Sequence, residues 1–297
     1  MIPFIHVPDL PIGPITLHPF GLLVATGVVV GTSLATRRAR LLSINLDELN
    51  SFITWMLFVG FLGGHMLDEI FYHPSELLLR PWSLFFLWEG LSSFGGFVGA
   101  ILGAVLWKYC EWRPVSRIGS FTISWIARRS EPKSIFGFAD LILSVFPVAW
   151  IFGRSGCSVV HDHPGARAAA DACLAVAYGP GPSDRFGPIE FIHGTAPRYD
   201  LGLLELMFTV ILAACFAATW RAKIPQGSYI VAASFAYAPV RFAMDFLRIT
   251  EGESADPRYG GLTPAQWCCI ALFVVGIFTL AYMRSTRHTS HGADQAV

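Results

Sequence analysis

Val231-Ala232-Ala233-Ser234-Phe235-Ala236-Tyr237-Ala238-Pro239-Val240-Arg241-Phe242-Ala243-Met244-Asp245-Phe246-Leu247-Arg248 is apolar for most of its length yet holds an arginine at its centre. Roughly 30 Å of hydrocarbon is crossed by about 20 apolar residues in helix, the form in which a single segment satisfies its own backbone. A guanidinium at that depth costs roughly 2.5–3.5 kcal/mol on insertion scales unless it faces a wet or protein-lined cavity. The stretch reads as a transmembrane helix, about 228–247, with a polar face that serves a purpose.

Six further windows have the same character, at about 18–36, 50–71, 84–107, 138–157, 202–220 and 264–283. Pro19 and Pro264 stand near the starts of the first and last, where a missing N–H costs nothing. The expected fold is therefore all-α: one polytopic membrane domain over 1–297, with about seven transmembrane helices and a long outer loop at 158–201. Composition agrees, since 54% of residues are hydrophobic, 14% are charged and the mean hydropathy is +0.53, which excludes a soluble globule.

Lys+Arg and Asp+Glu balance at 21 each, so no nucleic-acid partner is expected. The six cysteines follow neither a CxxC pattern nor a secreted disulfide framework; no disulfide, zinc site or cofactor is expected from them. Met1 to Leu17 lacks a basic region and is broken by Pro3, Pro8, Pro11 and Pro14, so it does not read as a cleavable signal peptide. With the N-terminus outside, thirteen of the 21 basic residues fall in inner segments and five in outer loops, which sets the C-terminus inside.

Several polar groups need explaining in such a chain. Arg241 has two readings: an i,i+4 ion pair with Asp245, or one half of an anion pocket completed by Arg154 near the end of span four. Phe152-Gly153-Arg154-Ser155-Gly156-Cys157 joins that arginine to glycines that admit a ligand or a neighbouring helix. His161-Asp162-His163 follows, a trio able to bind metal, to titrate near neutral pH or to form a polar outer turn. Span three carries Trp88-Glu89-Gly90-Leu91-Ser92-Ser93-Phe94-Gly95-Gly96, whose glycines mark either a binding surface or close helix packing. Span two adds His65, Asp68 and Glu69 near the outer face.

In series these stretches resemble the phosphatidylglycerol-prolipoprotein diacylglyceryl transferase family from His18 to Met283. The carrying motifs are His18-Pro19-Phe20-Gly21, Trp88-Glu89-Gly90 with Gly95-Gly96, Gly153-Arg154-Ser155-Gly156, and Tyr237 with Arg241 and Arg248. The resemblance implies an enzyme of the bacterial inner membrane. It would move the diacylglyceryl group of phosphatidylglycerol onto the lipobox cysteine thiol of a preprolipoprotein and release glycerol phosphate. Arg154 and Arg241 would stabilise the phosphate leaving group, with Tyr237, Arg248, Gly95, Gly96, Gly153, Gly156, Cys157, His163 and Glu205 lining the substrates.

The chain departs from that family at four positions. Phe94 stands where a histidine usually precedes the paired glycines, Phe20 where a tyrosine is common, Cys157 where an asparagine follows the Gly-Arg-x-Gly run, and Asp162 takes the place of the acid that closes it. His161, His163 or His65 would then handle the proton, or solvent would deprotonate the incoming thiol. The competing expectation is a catalytically altered member that binds or presents anionic phospholipid. A retinal protein is excluded because Lys108, Lys133 and Lys223 all lie in inner loops. No internal repeat supports a transporter.

Overall fold

The computed structural model describes residues 1–13, 15–86, 90–118, 121–169, 171–222, 224–250 and 258–294; Pro14, Trp88, Glu89 and Lys223, used in the readings above, lie outside the described residues. Its helices are α1 Pro19–Leu41, α2 Leu46–Tyr72, α3 Pro74–Leu79, α4 Ser93–Tyr109, α5 Phe136–Val160, α6 Leu201–Ala218, α7 Ser228–Met244 and α8 Pro264–Asp294. Six segments, α1, α2, α5, α6, α7 with its short continuation to Leu247, and α8, are long and apolar enough to cross a membrane. The window expected at 84–107 is shorter. Pro81–Phe85 forms a separate 3-10 turn, Gly90 takes φ +69, and Ser92 caps α4, so this helix begins only at Ser93.

The all-α expectation is corrected outside the helices. Strands β1 Ile2–His6, β2 Leu10–Ile12, β3 Ile15–Leu17, β4 Cys110–Ile118, β5 Phe121–Arg128, β6 Pro164–Arg167, β7 Ala175–Tyr178, β8 Ser183–Phe186, β9 Ile189–Ile192 and β10 Ala196–Asp200 occupy the segments read as loop. Five come from the 158–201 stretch and join β1 in a sheet ordered β6-β10-β7-β1-β9-β8. The physical reason is backbone satisfaction: where the long segment is buried, as along β7, its N–H and C=O groups must be paired, and the N-terminal strand inserts between β7 and β9 to pair with both.

The chain packs as two compact units, Thr36–Asp140 and the remainder. In the first, α2 and α4 meet through glycine. A Cβ on Gly95 would lie 2.4 Å from the Gly63 carbonyl oxygen, and one on Gly99 2.4 Å from that of Val59. The spacing of Gly95, Gly99 and Gly103 repeats every four residues, so one face of α4 is bare and the two backbones approach directly. The second unit holds the N-terminal part of α1, most of α5, helices α6 to α8 and the six-stranded sheet.

Candidate active site

The second unit gathers its charges on three helix faces. On α5, Trp150, Arg154 and Cys157 follow i, i+4, i+7; on α7, Tyr237, Arg241 and the following Asp245 follow i, i+4, i+8. Each set therefore shares one face. From α6 comes Glu205, 2% exposed, with Arg154 likewise at 2%.

Glu205 occupies the centre. One carboxylate oxygen lies 2.9 Å from Arg154 Nε, the other 3.2 Å from Arg241 Nε. Tyr237 donates its hydroxyl to the same carboxylate, and Trp150 Nε1 donates to it at 3.3 Å. Trp150 also stacks under the Arg154 guanidinium, 4.5 Å from ring centroid to Cζ. The two arginines converge on Glu205, which fills the gap where a lipid headgroup was expected. The i,i+4 alternative forms as well: Arg241 pairs with Asp245, and Arg248 Nε reaches the same oxygen at 2.8 Å.

Asp245 is in turn held by Thr263 at the start of α8. Thr263 and Gln266 cap this helix reciprocally: the Gln266 side chain accepts from Thr263 N at 3.0 Å, and Thr263 Oγ1 accepts from Gln266 N at 3.1 Å. Thr-x-x-Gln with proline at the first helical position is a capping-box signature, and that pattern is the signal in the sequence for this pair, which is not among the site residues expected above. Trp150 had no comparable signal beyond its i,i+4 relation to Arg154.

A second polar hub sits at Asp200, which ends β10 and caps α6. One oxygen accepts from Leu203 N at 2.9 Å; the other takes the Tyr178 hydroxyl at 2.8 Å and His161 Nδ1 at 2.5 Å. The remaining ring nitrogen of His161 faces the Ile5 carbonyl at 3.2 Å, and its ring stacks on Phe4 with centroids 3.8 Å apart. Both nitrogens thus point at acceptors, so the geometry makes His161 a pin between helix and sheet. Burial, followed by the negative charge of Asp200, pushes the Tyr178 hydroxyl above its ordinary range.

His163 is placed differently. Its backbone carbonyl accepts from Leu201 N at 3.1 Å, while its ring leans on Asp162, with Nδ1 3.0 Å from that residue's carbonyl oxygen. Burial and the positive charges of Arg248, Arg154 and Arg241 push the imidazole down to about 3, so it is neutral. Asp162 is pushed up to about 6, by burial against the pull of Arg154. Cys157, at the end of α5, has its sulfur 3.7 Å from Arg154 Nη1.

The other expected site residues have structural surroundings of their own. His65 is fully buried in the first unit, with Nε2 3.1 Å from the Ser83 carbonyl and Nδ1 3.4 Å from that of Gly90. Gly95 serves the α2–α4 contact described above, whereas Gly96 has only the Gly60 carbonyl near a Cβ, at 3.9 Å. Gly156 lets Phe20 approach: a Cβ there would lie 2.9 Å from the Phe20 ring. A Cβ on Gly153 would make only ordinary contact with Trp150, 3.4 Å from its ring.

Comparison with known proteins gives this cluster a context. A family model described as prolipoprotein diacylglyceryl transferase matches residues 9–282. The chain is 26% identical over 294 residues to the phosphatidylglycerol--prolipoprotein diacylglyceryl transferase of Pseudomonas entomophila, covering 96% of this chain and 97% of the relative. It is 27% identical over 274 residues to the protein of that name from Nitratidesulfovibrio vulgaris, covering 91% and 90%. With the match running through every helix that carries Arg154, Glu205 and Arg241, the chain belongs to the prolipoprotein diacylglyceryl transferase family.

Proposed function

We propose that this protein transfers the diacylglyceryl group of phosphatidylglycerol to the thiol of a lipobox cysteine in preprolipoproteins, releasing glycerol phosphate. The membrane is the bacterial inner membrane, crossed several times with the N-terminus outside and the C-terminus inside. The observation that carries the reading is the set of buried Arg154, Glu205, Arg241 and Asp245 with the half-buried Arg248, in which three guanidiniums meet two carboxylates, one positive charge more than negative within the set. A lipid phosphodiester supplies the complementary charge.

The chemistry follows from where charge develops. As the bond between the glyceryl carbon and the phosphate oxygen breaks, negative charge grows on the leaving phosphate. Preorganised donors in a water-poor site stabilise that charge far more than solvent does. Each guanidinium carries five N–H donors, more than its contacts with Glu205 and Asp245 use. Glu205 and Tyr237 fix Arg154 and Arg241 in place before the lipid arrives, so little reorganisation accompanies the reaction.

The test is release of glycerol phosphate from labelled phosphatidylglycerol in the presence of a lipobox peptide. Arg154→Lys and Arg241→Lys keep one charge but lose the planar fork, and each is expected to lower turnover at least 100-fold while remaining monodisperse. Equal turnover in both variants and the wild type would remove the arginine cluster from the reaction.

A second reading has one observation behind it. Phe94, at the position where the family usually has histidine, packs edge-on against Phe71 with centroids 5.9 Å apart, an apolar contact with no proton to move. A protein that binds phosphatidylglycerol and never releases glycerol phosphate would establish that reading.

A further inference from the structure

The turn after α5 brings three chemically different donors together. Cys157 Sγ, a carboxylate oxygen of Asp162 and a ring nitrogen of His163 all lie within 4.8 Å of one another. The chain achieves this with His161, whose φ of +51 reverses the backbone just past the end of α5 and folds Asp162-His163 back over Cys157. That reversal is pinned from both sides by Asp200 and the Ile5 carbonyl, and the His163 backbone is tied to Leu201. The supporting shell is therefore built, and only the three side chains remain to close.

We propose that Cys157, Asp162 and His163 form a zinc site whose open fourth position takes the thiol of the incoming cysteine. A thiolate, an imidazole and a carboxylate make a mixed soft and borderline set that suits zinc, and three protein ligands with one open position is the pattern of catalytic rather than structural zinc. Tetrahedral zinc with these ligands separates its donor atoms by about 3.5 Å, so rotamer adjustments of roughly an ångström complete the site. Two anionic ligands balance the zinc charge, and the neighbouring arginine cluster keeps its excess for the phosphate.

The inference rests on the transfer reading for its role and answers a question left open there. The substrate thiol must become a thiolate, Phe94 beside the paired glycines has no group to accept a proton, and both nitrogens of His161 are engaged. Coordination to zinc deprotonates a thiol outright. The sulfur then forms a bond to the glyceryl carbon as the bond from that carbon to the phosphate oxygen breaks. The electron pair stays on the oxygen, and the thiol proton ends on the released glycerol phosphate, so atoms and charge balance without a further reactant.

Full-length protein purified in detergent with zinc in the buffer, then desalted, is analysed for metal per chain. Cobalt-loaded protein is examined for the thiolate-to-cobalt charge-transfer band. One zinc per chain is expected in the wild type, with at least a tenfold loss of retention in Cys157→Asn, Asp162→Asn and His163→Gln, and with the band absent in Cys157→Asn. Size-exclusion profiles check folding in each variant. Transfer should fall with chelator and return with zinc. Turnover without bound metal and insensitive to chelator overturns the site while leaving the transfer reading intact. Zinc held by the three residues in a protein that turns over no lipid upholds the metal site and overturns both its thiol-activating role and the transfer reading.

Discussion

Glu205 Oε1 lies 2.9 Å from Arg154 Nε, and neither side chain is more than 3% exposed. A pair so enclosed has given up its hydration, so each charge depends on the other and on the Tyr237 and Trp150 donors that complete the carboxylate. Glu205→Gln keeps the shape but leaves two guanidiniums facing each other. Loss of one partner of a buried pair costs about 3–5 kcal/mol. The variant is expected to unfold at a markedly lower temperature in detergent and to lose transfer; an unchanged melting temperature would show that Glu205 does not hold the arginines.

Asp245 is the second anchor, and its support comes from the next helix. Thr263→Val removes the hydroxyl that bonds Asp245 and, at the same stroke, half of the α8 cap. Loss of such a cap costs about 1 kcal/mol, and a buried carboxylate missing one donor costs about as much again. The expected result is a stability loss of about 2 kcal/mol with a modest fall in turnover, since Arg241 and Arg248 still hold Asp245. Ser at this position should restore most of both. A thermal unfolding series over Thr263→Val and Thr263→Ser reads this directly, and equal stability of the two would remove the hydroxyl from the account.

The helix faces of this site were readable in advance because helical periodicity is local. Arg241 on α7 and Asp245 just past its end are four residues apart, and a buried arginine in an apolar span announces a partner. The identity of that partner was not local: Glu205 comes from another helix, and nothing in its own neighbourhood distinguishes a carboxylate that holds two arginines from one that lines the substrates. The sheet was lost for a related reason. Its strands are four or five residues long, too short to display alternation above the Gly and Pro turns between them, and β1 pairs with residues more than 170 positions away. Cys157, Asp162 and His163 escaped because their convergence depends on one left-handed residue, His161.

Glycine on α4 separates packing from binding. A Cβ on Gly99 would lie 2.4 Å from the Val59 carbonyl and 2.9 Å from Gly60 Cα, both backbone atoms that cannot swing away. Gly99→Ala is therefore expected to push α2 and α4 apart at a cost of about 1–3 kcal/mol. Gly96, whose nearest such contact is 3.9 Å, should accept alanine with little change in stability. Thermal unfolding of both variants gives the comparison. Should Gly96→Ala fold normally and still lose turnover, Gly96 contacts substrate; equal destabilisation of the two would contradict the packing geometry.

His161 offers the sharpest contrast between a pin and a base. Its ring bridges Asp200, the Ile5 carbonyl and Phe4, so it joins the cap of α6 to the first strand of the sheet. His161→Ala leaves Asp200 with one donor fewer in a buried setting, a loss of about 1–3 kcal/mol. The expected variant unfolds at a lower temperature, is cleaved sooner by protease in the 158–201 segment, and loses turnover in step with folded protein while the shape of its pH–rate profile is retained. His161→Gln, which keeps a side-chain donor, should recover part of the stability. A general base behaves otherwise: its removal lowers turnover about 10²–10⁴-fold in protein of undiminished stability and abolishes a limb of the pH profile. That pattern in His161→Ala would return the proton to His161 and leave Asp200 as its orienting partner.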